Sequence, residues 1–117
     1  MIITLPVPDE RLWPNARCHW RAKAEAVRKM RYWSMLAAMD AKPGGHIPLL
    51  QATVKCRFYF RTKRRRDPDN AAAACKSIWD GFTDAKIWVD DCGLKHLPPT
   101  FGVDAKSPRV EIEVTET

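Results

Sequence analysis

The chain reads as an α/β (α+β) domain, a mixed β-sheet with two main helices in one small unit spanning residues 1–117. Three observations predict it. Ala52–Phe60 and the stretch around Val110–Thr115 alternate apolar and polar residues with the period of half-buried strands. About Arg21–Ala41 apolar residues recur at helical spacing, and an Asp69 or Asn70 cap opens a second helical stretch through Phe82. A length of 117 residues suits a single domain that buries roughly two thirds of its unfolded surface without a disulfide or structural metal.

In chain order, Met1–Leu5 is a short strand, and Pro6–Asn15, with Pro6, Pro8 and Pro14, is an ordered loop. The first helix sets Val27, Met30, Trp33 and Ala37 on one apolar stripe. Its other side carries Arg21, Arg28 and Arg31, which serve either as a solvated face or as an extension of a basic surface. Pro43, Gly44 and Gly45 stop it. In the central strand Val54, Cys56, Phe58 and Phe60 oppose Thr53, Lys55, Arg57 and Tyr59. A second helix starts at an Asp69 or Asn70 cap and runs through Ala71–Ala74 and Lys76–Phe82. Gly93–Phe101 reads as an edge strand broken by Pro98 and Pro99, and Val110, Ile112 and Val114 then oppose Glu111, Glu113 and Thr115. Of the tryptophans, Trp13, Trp20, Trp33, Trp79 and Trp88 are assigned to the core, and an exposed one would suit an interface or base stacking.

The formal charge of +6 points to a polyanionic partner or an anionic membrane surface, and its clustering favours nucleic acid. Five of the six residues from Arg61 to Arg66 are basic: Arg61, Lys63, Arg64, Arg65 and Arg66. No stretch approaches the ~20 apolar residues of a membrane span, and MIITLPVPDE lacks a basic region followed by an apolar run. The expectation is a cytoplasmic protein with no membrane partner. Cys18, Cys56, Cys75 and Cys92 form no CxxC pair and read as reduced thiols. Cys92 and His96 have helical spacing, but Gly93, Pro98 and Pro99 argue against a helix that could turn both onto a metal.

Directly behind the basic tract come Asp67, Asp69, Asp80, Asp84, Asp90 and Asp91. A phosphodiester repels carboxylates, so acids beside a phosphate-binding patch point to a divalent metal. In extended backbone Asp67 and Asp69 would project to the same side, with Pro68 stiffening the pair. A right-handed return to the sheet edge would bring Asp90 or Asp91 to the same place, one as a ligand and the other orienting or capping. Three crowded carboxylates call for neutralising cations, and Mg²⁺ (or Mn²⁺ as a substitute) would activate a water for attack on phosphorus. Lys76 could stabilise the charge that develops. Equally, Asp69 could cap the helix while the remaining aspartates are solvated.

The string RRRDPDN (Arg64–Asn70), with Lys76, Asp80 and WVDD (Trp88–Asp91), resembles the RusA family of Holliday-junction resolvases, small enzymes often found in phages and prophages. The likeness extends over most of the chain, with LPVP and Trp13, Pro14, Asn15 as a loose match to the family's opening loop. It implies a RusA-like fold, catalytic aspartates at Asp67, Asp69 and Asp91, a catalytic lysine at Lys76, and a supporting role for Asp90. It also implies Mg²⁺, a homodimer and branched DNA; the charge pattern itself assigns DNA contacts to the basic tract and to Arg21 and Arg28. The chain departs from the commonest family spacing, which puts the lysine where Ala73 stands; Lys76 is one helical turn further on.

Two rival readings remain open. Pro68–Asp69 with Asp84, Ala85 and Lys86 formally fits a PD-(D/E)xK nuclease, although the intervening AAAACKSIWDGF reads as helix where that motif needs two adjoining strands. A non-catalytic basic DNA-binding module, its aspartates tying down loops, is the alternative from another class.

Overall fold

The computed structural model describes residues Met1–Thr117. The polypeptide builds an α+β domain with a five-stranded mixed sheet. Strand β1 (Ile2–Leu5) pairs antiparallel with β5 (Arg109–Glu116), which pairs antiparallel with the central β2 (Ala52–Phe60). On its other side β2 has two short parallel neighbours in tandem. β3 (Leu94–His96) lies against its first half and β4 (Thr100–Val103) against its second. Pro98 and Pro99 fall in the gap between them, as the sequence predicts, because proline offers no N–H to the ladder.

Helix α1 (Trp20–Ala41) starts at His19, whose Nδ1 accepts from the Arg21 N–H. Its buried face differs from the predicted stripe. Ala26, Met30, Ser34 and Ala38 point inward, whereas Val27 and Trp33 are exposed, Trp33 by 50%. Small residues occupy this face because α1 meets α3 (Lys76–Asp84) almost backbone to backbone. A Cβ on Gly81 would stand 2.4 Å from the Arg31 carbonyl oxygen and 2.7 Å from Ser34 Cβ.

The second helix is a broken arm, with α2 (Pro68–Ala74) and α3 separated at Cys75. Its cap is Asp67, not Asp69 or Asn70, and Pro68 takes the first helical position, where its missing N–H costs nothing. The core lies between this helical layer and one face of the sheet, with Phe58, Ile78, Phe82, Trp88 and Ile112 fully buried. The opposite sheet face is polar: Arg57 meets Glu113 at 3.5 Å, and Arg109 lies over the Tyr59 ring and binds Asp104 at 2.8 Å. No helix is long and apolar enough to cross a membrane.

Candidate functional site

The end of β2 fixes the position of the basic tract. Phe58, Phe60, Phe101 and Trp13 pack with ring centroids 5.7–6.3 Å apart. Onto this cluster Arg66 folds back, its guanidinium 3.6 Å from the Phe60 ring centroid. Burial there, and next the charge of Arg64, make Arg66 hold its proton less firmly than a free arginine. Its Nε is buried without a hydrogen-bond partner. Arg61, Lys63, Arg64 and Arg65 are exposed around it. Lys63 and Arg64 edge a cleft of about 290 Å³ floored by Phe60 and Phe101.

Asp67 follows Arg66 and is therefore held at the same end of β2. One of its carboxylate oxygens accepts from the Asp69 N–H at 2.8 Å, which stabilises the start of α2 and fixes the side chain's direction. The expected extended pair is thus a helix start, with Asp67 extended and Asp69 already helical. Both side chains are exposed.

Lys76 opens α3 and is not on α2, the helix that Asp67 caps and that contains Asp69. It is exposed at a cleft of about 280 Å³ between α1 and the broken arm, shared with Lys23, Ser77 and Asp80. Lys23 is absent from the sequence-based site, yet its position four residues before Val27 places it on one helical face with that residue.

Asp90 and Asp91 lie elsewhere. Trp88 bridges to Leu49, a Cβ on Gly93 would stand 2.5 Å from the Leu50 carbonyl oxygen, and Leu94 pairs with Ala52. The Asp90–Gly93 turn therefore sits beside the start of β2, while Asp67 and Asp69 stand at its end. Eight residue steps of strand separate Ala52 from Phe60, about 26 Å. The expected convergence within one chain does not occur, because a parallel crossover returns to the starting end of the sheet. No group of three or more His, Cys, Asp or Glu side chains is gathered to hold a metal ion. Asp90 does cap: its carboxylate accepts from the Cys92 N–H at 2.9 Å, and that bond draws its pKa below the usual carboxylate value.

The PD-(D/E)xK pattern has little geometry behind it. The residues between its halves form α2 and α3, not adjoining strands. Asp84 is held by a two-pronged pair with Arg31, at 2.7 and 2.9 Å. Lys86 sits in a turn with φ of 62°. Cys56 and Cys75 are buried free thiols, and Cys18 and Cys92 are exposed ones.

No protein-family model matches the chain. A protein of Xylella fastidiosa (strain Temecula1 / ATCC 700964), described as uncharacterized, is 35% identical over 91 residues, which is 76% of this chain. The chain spans 59% of that relative's length.

Proposed function

We propose that the protein is a Mg²⁺-dependent, structure-selective endodeoxyribonuclease that cleaves four-way DNA junctions, as its resemblance to the RusA family implies. The observation that carries the reading is the end of β2, where Asp67 and Asp69 directly follow a basic tract braced by Arg66 on Phe60. A binding module gains nothing from acids set there, since they repel the phosphates that the tract attracts.

The donor set fits Mg²⁺ in kind, being hard carboxylate oxygens, but one chain falls short in number. Asp67 and Asp69 would hold the ion together with Asp91 of a second copy. A two-fold pair can bring the end of one β2 to the start of the other, and resolving a junction requires two symmetry-related cuts. When bound, the ion would supply an activated water and neutralise charge on the phosphate. The chain's own cations dock the backbone through Arg64, Arg65 and Arg66. Lys76, at the start of α3, would offer a charge for the developing oxyanion.

The test is a nicking assay on a synthetic four-way junction beside the matched linear duplex. Cleavage of the junction in Mg²⁺ is expected, with Ca²⁺ supporting binding alone. Tight junction binding with no cutting in Mg²⁺ or Mn²⁺ would make the protein a binding module instead.

A further inference from the structure

We propose that the exposed face along the first three turns of α1 is a track for single-stranded DNA, and that Trp20 stacks on an unpaired base there. Trp20, Lys23, Ala24, Val27, Arg28 and Arg31 follow one another at helical spacing and form one continuous exposed face of α1. Trp20 is 68% exposed, more than any other tryptophan in the chain, and it stands on a regular helix, not a loose loop. His19 stacks beside it at 5.5 Å, and the Arg21 guanidinium lies 5.2 Å from its ring centroid. The indole thus carries a guanidinium over its ring and an imidazole stacked beside it, and it remains 68% exposed.

The occupant follows from charge. Trp20, Ala24 and Val27 make the middle of this face apolar, and it carries Lys23 and Arg28 with no carboxylate among its six residues. Arg31 is already matched by Asp84, so two free cations remain on this face, joined by Arg21 next to the indole. A strand of DNA offers both components, π faces for Trp20 and phosphates for the lysine and arginines. A duplex offers only the phosphates, because its bases are stacked inside. Lys23 and Val27 also line the cleft at Lys76 and Asp80, so this face of α1 borders that cleft. A strand whose phosphate reaches Lys76 could run along α1 with a base freed at the branch point lying on Trp20.

This inference rests on the DNA-binding reading above, and the experiment separates the two. Anisotropy titrations would use a labelled oligo-dT of about 12 nucleotides, within the site sizes of such tracks, beside a linear duplex and a four-way junction. Trp20→Ala should weaken oligo-dT binding by about 5- to 150-fold, the range for losing one stacked base, and leave duplex binding unchanged. Trp20→Phe should recover most of the loss, since phenylalanine keeps a π face. Lys23→Ala with Arg28→Ala should lower the log–log salt slope on oligo-dT by about 1.4, at ~0.7 per phosphate contact on a single strand.

Equal oligo-dT affinity for wild type and Trp20→Ala, with wild type binding junctions, would overturn the track alone. Wild type binding no DNA at all would remove both readings. A Trp20→Ala protein that changes oligomeric state at unchanged affinity would assign the face to a second copy.

Discussion

At its C-terminal end β2 runs into five cations and then Asp67 and Asp69, with Arg66 seated on Phe60. At its N-terminal end the neighbouring acids, Asp90 and Asp91, follow the buried Trp88 and pack beside Leu49–Gln51 with no comparable basic tract. Both pairs contain a capping aspartate, Asp67 for α2 and Asp90 for a single turn. They differ in the counter-charge supplied. The first end sets five cations directly before its acids, whereas the second has only scattered lysines such as Lys95, in register with Thr53, to offset Asp90 and Asp91 against a phosphate. Neither end is a complete site.

The sharpest way to break this comparison is to disable one end at a time. Asp67→Asn, Asp69→Asn or Asp91→Asn should each abolish junction cutting while binding survives, because loss of negative charge eases phosphate approach. Mixing Asp67→Asn with Asp91→Asn and letting the copies exchange should restore nicking of one strand, since one shared site in each mixed pair keeps all its carboxylates. If each site lay within one chain, the mixture would stay dead.

The arm joining the two ends offers the next test. Lys76→Ala should slow single-turnover cleavage by ~100- to 1000-fold, as for loss of a preorganised oxyanion donor. Lys86→Ala, beyond Asp84 near the other end, should change it little. The reverse result would revive the PD-(D/E)xK reading.

Replacing Arg64, Arg65 and Arg66 together by alanine should weaken duplex binding and reduce its log–log salt slope by about 2.7, at ~0.9 per phosphate contact. An unchanged slope would make the two ends electrostatically equivalent.

Two smaller effects concern the arm's fit to α1. Gly81→Ala should cost about 1–3 kcal/mol, measured by denaturant unfolding, because the new methyl meets the Arg31 carbonyl with no room to relax. The Arg31–Asp84 pair is half exposed and should contribute only ~0.2–1 kcal/mol. Bonding to Arg31 holds the Asp84 pKa below its ordinary value. Its contribution is therefore present above the unfolded carboxylate pKa and fades as pH falls through the lower folded one. The stability gap between wild type and Asp84→Asn should close under acid.

The sheet was legible in the sequence because alternation in β2 and β5 has a single physical reading, one face buried and one wet. The break between β3 and β4 was legible because Pro98 and Pro99 offer no N–H to a ladder. The inward face of α1 was not. Counting large apolar residues favours Val27 and Trp33, but a close helix crossing selects small ones, and Gly81 on α3 is what makes Ala26, Ser34 and Ala38 the right fit. The acids behind the basic tract were visible from spacing alone. Their placement was not, because the end of the sheet to which Asp91 returns depends on β3 running parallel to β2, a tertiary fact that no local pattern records.

The tandem arrangement of β3 and β4 has a consequence for assembly. An open sheet edge is a template on which further backbone can hydrogen-bond, and proteins that must stay discrete interrupt it. Here one margin is cut into pieces of three and four residues around Pro98 and Pro99, and the other is the four-residue β1, followed at once by Pro6. Neither margin offers a long ladder for strand addition, which guards the protein against polymerising edge to edge. Copies of this chain would have to recognise one another through side chains, which leaves their contact open to tuning by single substitutions without disturbing the sheet.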